Sequence, residues 1–131
     1  MHAYFTTVQL HQTDAAGILF FSKQCDMMHD AYQAMMSKIE LSFTEILQDK
    51  DFFMPIVHVD SDYKAPLFVD DRLTIEVSVC SLGKTSFTLD YLVKKDAKLV
   101  GCGKTVHVTI DKQSRQKIPL PDELKIALNK V

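Results

Sequence analysis

The amino-acid sequence predicts an α+β fold in which one long central helix is wrapped by a curved antiparallel sheet of about five strands. Between Ser22 and Ile39, apolar residues recur every three or four positions, which is the spacing of one helical face. From Leu73 to Ile110, apolar and polar residues alternate through three segments joined by short turns, which is typical of an antiparallel meander. Because this length suits one hydrophobic core, we expect residues 1–131 to form a single domain.

The N-terminal third of the chain supplies the first strand and the long helix. Aromatic and β-branched residues at 4–10 predict the strand, and the polar residues 11–14 end it before a turn at 15–17. Ser22 is the predicted N-cap of the helix, which we expect to be largely enclosed by the rest of the protein. Its apolar stripe contains Met28, Ala31, Tyr32, Met35, Met36 and Ile39.

Two shorter helical segments and one more strand are also predicted. Ser42 and Glu45 can cap each other's backbone N–H groups, so a second helix begins there and ends near residues 49–51. Residues 56–64 form a strand of the same sheet, and Pro121 begins a last helical turn or two.

The three long strands alternate apolar and polar positions, with turns at Gly83-Lys84 and at residues 96–98. In the third strand, the apolar positions lie opposite Thr105, His107 and Thr109. The apolar positions of the three strands are Leu73, Ile75, Val77 and Val79; Phe87, Leu89, Tyr91 and Val93; and Val106, Val108 and Ile110.

Composition excludes several classes of protein. The chain has 15 Lys plus Arg against 17 Asp plus Glu, a net charge of −2, so a nucleic-acid or anionic-membrane partner is not expected. Its three cysteines are far apart, as in a reducing compartment. The sequence carries no secretion signal, and its longest apolar run is residues 15–21, so we expect a soluble, cytoplasmic protein.

Familiar catalytic and metal-binding motifs are not present. Gly103-Lys104-Thr105 resembles part of a phosphate-binding loop, but Lys98 stands where that motif needs a glycine. The five histidines have no metal-ligand spacing, so no metal site is expected. Ser86 is not part of a G-x-S-x-G elbow.

The segment from Asp14 to Ser22 is the candidate catalytic element. It places a carboxylate and a turn glycine, Gly17, immediately before the long helix. The first N–H groups of a helix are unpaired, so those of Phe21 and Ser22 can stabilise negative charge on a carbonyl oxygen. The residues alone favour a simpler interpretation, in which Asp14 is a turn former and Gly17 supplies an unusual backbone angle.

Four segments in order resemble hotdog-fold acyl-CoA thioesterases of the 4-hydroxybenzoyl-CoA thioesterase type. Within that family, His29-Asp30-Ala31-Tyr32 and Pro55-Ile56-Val57-His58 are most similar to the branch of 1,4-dihydroxy-2-naphthoyl-CoA hydrolases of quinone biosynthesis. The resemblance implies hydrolysis of an aromatic acyl-CoA, with no cofactor besides the CoA of the substrate. The four segments are residues 14–20, 63–67 with 71–73, 82–87, and 105–108 with 119–121.

The same resemblance implies roles for individual residues. Asp14 is the catalytic carboxylate, either as a nucleophile that forms a mixed anhydride or as a general base. Gly17 lets the backbone approach the thioester, and the backbone N–H of Phe21 is the oxyanion donor. Many relatives that act on aliphatic substrates have a histidine at the position of Phe21, whose ring suits an aromatic acyl group.

The implied substrate-binding residues lie elsewhere in the sequence. The two histidines are expected to line the acyl pocket, although each is at least as readily explained as a structural residue. The turn residues are expected to hold the nucleotide part of CoA; the alternative is that Lys84 is only a solvated turn residue. These residues are His29, His58, Lys84, Thr85 and Ser86.

Hotdog relatives join their sheets edge to edge and build each active site from both subunits, so the resemblance implies a homodimer or homotetramer. Three alternatives stay open at this stage. The chain can be a general acyl-CoA or acyl-carrier-protein thioesterase of other specificity, or a hotdog hydratase or dehydratase, for which His29 with Asp30 is the only hint. It can also be a non-catalytic acyl-CoA binding protein.

Overall fold

All 131 residues are described by a computed structural model, in which one large sheet and three α-helices are formed. The strands are β1 (His2–Thr7), β2 (Phe52–Phe53), β3 (Ile56–Tyr63), β4 (Arg72–Leu82), β5 (Ser86–Lys95), β6 (Lys98–Val108) and β7 (Ile110–Asp111). The helices are α1 (Lys23–Lys38), α2 (Phe43–Asp49) and α3 (Asp122–Leu128).

The five-stranded antiparallel sheet confirms the central expectation. Its order is β1-β4-β5-β6-β3, so β1 and β3 are the two edge strands. Strands β2 and β7 form a separate two-stranded ribbon that the sequence does not predict. None of the three helices is long and apolar enough to span a membrane.

The long helix is less enclosed by the rest of the protein than the sequence predicts. α1 has 16 residues and is joined by α2 and α3 of seven residues each, as the shorter helical patterns predict. Only one side of α1 is buried, with Met27, Met28, Met35 and Met36 against the sheet. The opposite side is exposed because it is polar; it carries Asp26, His29, Asp30 and Gln33.

The ends of the N-terminal elements also differ from expectation. β1 stops at Thr7 because Gln9 bends the chain: its backbone N–H donates to Oε1 of Gln12, 2.8 Å away, within a short 3-10 turn. Ser22 precedes α1 but is already helical (φ −74°, ψ −16°), so its hydroxyl does not cap the helix. Ser42 does cap α2, since its Oγ accepts from the Glu45 N–H at 3.3 Å.

The inner face of β6 is the polar one. The register of β5 decides this: its buried Phe87 lies opposite His107, and its buried Leu89 lies opposite Thr105. Because directly paired residues share a face of a sheet, His107 and Thr105 point toward α1 while Val106 points outward. The alternation of apolar and polar residues in β6, taken alone, would instead favour Val106 pointing inward and His107 pointing outward.

Two glycines of β6 let α1 approach the sheet closely. A Cβ on Gly103 would lie 2.5 Å from the Asp60 carbonyl oxygen and 2.8 Å from Cε of Met28. A Cβ on Gly101 would lie 2.2 Å from Oε1 of Gln24. The glycines therefore set the distance between the sheet and the first half of α1, where the candidate catalytic loop is attached.

A buried polar chain runs beneath the middle of α1. Nε2 of His107 is 2.8 Å from Oγ1 of Thr105, which is 2.8 Å from the Tyr91 hydroxyl. The His107 ring stacks on Phe87 at a centroid distance of 4.5 Å and contacts the Tyr32 ring at 4.6 Å. Burial lowers the pKa of His107 to about 4, although the backbone of Met54 opposes the shift. The folded protein thus holds His107 as a neutral ring.

Acidification is expected to destabilise the fold through His107. In the unfolded chain this histidine takes up a proton below its ordinary pKa of about 6.5, whereas in the folded state it does so only near its pKa of about 4. Stability from this group is therefore complete above pH 6.5 and is lost as the pH falls to 4, by about 3 kcal/mol. Urea unfolding at pH 7, 5.5 and 4.5 measures this loss. The variant His107→Gln should show a flatter profile; an equally steep profile in the variant would contradict the assignment.

Candidate active site

Asp14 lies in a tight loop between the 3-10 turn and α1. Its Oδ1 accepts the backbone N–H of Ala16 at 2.8 Å and that of Ile18 at 3.2 Å, while the Asp14 N–H donates to the Ile18 carbonyl at 2.9 Å. Its other oxygen, Oδ2, makes no hydrogen bond or ion pair within the chain. The loop therefore orients the carboxylate and leaves one exposed oxygen for a ligand or water.

Gly17 makes this loop possible through its backbone angle. Its φ is 77°, in the left-handed region that L-residues avoid, and beyond the two neighbouring residues no heavy atom lies within 4 Å of the position a Cβ would take. Glycine is required here by conformation and not by lack of space. The loop then returns to the sheet, because the Leu19 N–H donates to the Leu67 carbonyl at 2.7 Å.

Two free backbone donors follow the loop at the start of α1. The N–H groups of Phe21 and Ser22 make no hydrogen bond within the chain. Neighbouring groups are held: the Phe20 N–H donates to the Gln12 carbonyl and the Lys23 N–H donates to the Phe20 carbonyl, both at 2.9 Å. The first turn of a 16-residue helix carries a partial positive charge, so this point favours an anion or a developing oxyanion.

A cleft of about 380 Å³ opens beside these donors, between the loop and the connection from β3 to β4. Six of its nine lining residues are hydrophobic, and Lys64 is its only cation. The volume of the cleft and its mostly hydrophobic lining suit an apolar or aromatic group of a ligand. The cleft is lined by Ile18, Leu19, Phe21, Gln24, Tyr63, Lys64, Ala65, Pro66 and Leu67.

Gln24 and Tyr63 are site residues that sequence reasoning missed. Gln24 is buried, and its Nε2 lies 2.6 Å from Oγ of Ser61, 3.1 Å from the Asp62 carbonyl and 3.3 Å from the Cys102 carbonyl. These contacts fasten the first turn of α1 to β3 and β6. The sequence does contain a signal for Gln24, because it is a polar residue on the otherwise apolar side of the helical pattern.

The two candidate acyl-pocket histidines lie outside the cleft of this chain. His29 is exposed on α1, with its ring 5.9 Å from that of Tyr32. His58 lies on the outer face of β3, where its Nε2 is 3.0 Å from Oδ2 of Asp60. The chain has no group of three or more His, Cys, Asp or Glu side chains that could hold a metal ion.

The candidate CoA-binding turn lies at the far end of the sheet from Asp14. The Asp14 loop contacts the chain just before β4, whereas Lys84, Thr85 and Ser86 follow the end of β4. The 11 residues of β4 separate the two by about 30 Å along the strand. The turn is anchored, because the Lys84 carbonyl accepts the Leu120 N–H at 2.9 Å. A single chain therefore does not bring Asp14 and the Lys84 turn together.

The fold and the loop together define a thioesterase-type protein, and comparison with known proteins agrees. The family model of the thioesterase-like superfamily matches residues 8–128. The chain belongs to this family and has its hotdog fold.

Several similar proteins are CoA thioester hydrolases. A 1,4-dihydroxy-2-naphthoyl-CoA hydrolase from Rippkaea orientalis is 34% identical over 127 residues, which cover 95% of this chain and 92% of that protein. The crystal structure of a 1,4-dihydroxy-2-naphthoyl-CoA thioesterase from Synechocystis superposes with a TM-score of 0.91 at 32% identity, covering 98% of this chain and 96% of the other. A gentisyl-coenzyme A thioesterase structure has a TM-score of 0.87 at 27% identity, covering 97% and 99%.

Proposed function

We propose that this protein hydrolyses an aromatic acyl-CoA to the free acid and CoA, with 1,4-dihydroxy-2-naphthoyl-CoA of quinone biosynthesis as the preferred substrate. The observation that carries the proposal is the pairing of the Asp14 carboxylate, whose Oδ2 is free, with the unpaired N–H groups at the start of α1. Relatives that are named for this naphthoyl thioester, and a structural neighbour named for the aromatic gentisyl thioester, support the choice of acyl group.

The reaction can follow two routes from this geometry. As a general base, Asp14 takes a proton from water, whose oxygen attacks the thioester carbonyl carbon. As a nucleophile, its Oδ2 attacks that carbon and forms a mixed anhydride, which water then hydrolyses. In both routes the carbon–sulfur bond breaks, the CoA thiolate leaves and takes up a proton, and the Asp14 carboxylate is regenerated. Neither route requires a metal or a further cofactor.

The Phe21 N–H is the proposed donor to the carbonyl oxygen, which becomes negative in the tetrahedral transition state. One such preorganised donor typically contributes about 3 kcal/mol to the transition state. The role belongs to the backbone, so an exposed aromatic side chain at Phe21 is compatible with it. That ring also lines the apolar cleft, where it can pack against an aromatic acyl group.

The protein is proposed to act as a homodimer joined through β3. The Lys64 N–H donates to the Val100 carbonyl in β6, so by alternation the N–H groups of Val59 and Ser61 point away from the sheet and have no strand partner. β3 is almost entirely exposed, as an unpaired edge strand is expected to be when its partner is another copy.

Antiparallel pairing of two β3 strands would also complete the site. It sets the Ile56 end of one strand beside the Tyr63 end of the other. Within each chain, the Lys84 turn lies at the Ile56 end of the sheet. In the joined sheet, the partner's Lys84 turn would therefore lie at the same end as Asp14 of the first protomer. This supports a role in CoA binding for the partner subunit's Lys84, Thr85 and Ser86. The exposed His29 and His58 would likewise be available to an acyl group held between subunits, and a tetramer would pair two such dimers.

A panel of acyl-CoA compounds tests the proposed function. Free-thiol release should be fastest with the dihydroxynaphthoyl thioester, slower with other aromatic thioesters, and slowest with short aliphatic ones. Faster turnover of aliphatic thioesters would contradict the acyl specificity. Tight binding without thiol release would indicate an acyl-CoA binding protein, and a hydrated product would indicate a hydratase.

The three free cysteine thiols are compatible with the reducing cytoplasm, which we propose as the location of the protein.

A further inference from the structure

The hydroxyl of Tyr63 reaches the loop that carries the proposed oxyanion donors. Tyr63 is the last residue of β3 and lies opposite Gly101 of β6, and its ring forms part of the cleft wall. Its hydroxyl donates a hydrogen bond to the carbonyl oxygen of Phe21, 42 positions earlier in the chain. This is the one hydrogen bond that the Phe21 carbonyl accepts within the chain.

A hydrogen bond that fixes the direction of the Phe21 carbonyl also fixes that of the Ser22 N–H. The Phe21 carbonyl and the Ser22 N–H belong to the same planar peptide unit, so fixing the direction of one fixes the other. The backbone on both sides is already held, through the Leu19 N–H to Leu67 and the Lys23 N–H to Phe20. The Phe21–Ser22 unit is held by the Tyr63 side chain instead. A carbonyl that accepts a hydrogen bond also polarises its own peptide, which strengthens the N–H as a donor.

We propose that Tyr63 is a positioning residue for the thioesterase reaction: its hydroxyl aims and strengthens the Ser22 N–H as a second donor to the thioester oxygen, beside that of Phe21. The inference rests on the proposed function and deepens it. Tyr63 acts through the peptide unit and not by contact with the reacting atoms. Since 49% of its surface is exposed, it can be altered without opening the core.

The variant Tyr63→Phe removes only the hydroxyl. Loss of one positioning hydrogen bond should lower kcat by about tenfold, with KM for the best acyl-CoA within twofold of wild type. The matched control is Tyr4→Phe, because the Tyr4 hydroxyl makes no hydrogen bond within the chain and Tyr4 lies in the opposite edge strand. The control should keep full activity. An unchanged kcat in Tyr63→Phe, or a raised KM with kcat retained, would overturn the proposal.

A second variant separates positioning from a structural role. Substitution of Tyr63 by 3,5-difluorotyrosine gives a phenol that ionises near neutral pH, and the ionised form cannot donate to the Phe21 carbonyl. kcat should then fall as the pH rises through that ionisation, at pH values where wild type is unaffected; a wild-type pH profile would overturn the proposal. Inactive wild type across the acyl-CoA panel would instead refute the proposed function. Active wild type with inactive Asp14→Asn but fully active Tyr63→Phe would refute this inference alone.

Discussion

Replacement of Asp14 by Asn is expected to lower kcat by about a hundredfold or more while leaving the fold intact. The amide cannot act as a base or attack a thioester, and such carboxylate roles typically contribute factors of about 100 to 10,000. The side chain is exposed, and the amide oxygen of Asn can still accept the N–H groups of Ala16 and Ile18. The melting temperature should therefore stay close to that of wild type, and thiol release on the best substrate measures the loss.

A matched control for this charge change is Asp96→Asn. Asp96 is an exposed aspartate in the turn between β5 and β6, with a φ of 50° that Asn also tolerates. Its substitution should leave kcat unchanged. Equal activity of the Asp14 variant and wild type would show that the loop carboxylate is only a turn former.

Val59→Pro is expected to have the second large effect, by separating the subunits. The Val59 N–H points away from β6, so proline removes a donor of the open edge without breaking a bond to the neighbouring strand. The molar mass from light scattering should fall toward that of a single 14.9 kDa chain, and thiol release should fall with it. Activity is lost because each site would need the partner's Lys84 turn.

The opposite edge strand provides the control for this change. By the same alternation, the Phe5 N–H of β1 points away from β4, since the Val8 N–H donates to the Asp71 carbonyl. Phe5→Pro should therefore keep both the wild-type mass and the wild-type activity. A wild-type protein that is monomeric and fully active would refute the shared site, as would an active monomeric Val59→Pro.

Local patterns in the sequence were sufficient for most of the fold. The helical stripe of α1 and the alternation in β4 and β5 predict these elements because each has one buried face. The Ser42 cap predicts α2 for a similarly local reason. The candidate loop could also be located, because Asp14 and Gly17 act within a few residues of each other.

The remaining features depend on contacts between distant residues. Which face of β6 is inward follows from pairing with Phe87 and Leu89, and no periodicity within β6 contains that information. The contacts of Gln24 with Ser61 and of Tyr63 with Phe21 join residues about 40 positions apart. Placement of Lys84 far from Asp14 likewise follows only from the length and direction of β4.

The central claim is that a thioester carbonyl binds between the Asp14 carboxylate and the free N–H groups at the start of α1. A crystal structure with a non-hydrolysable naphthoyl-CoA analogue tests it most directly. The account predicts the carbonyl oxygen about 3 Å from the Phe21 nitrogen, with the carbonyl carbon facing Oδ2 of Asp14. An analogue whose acyl group lies away from this loop, with the Phe21 N–H still unpaired, would contradict it.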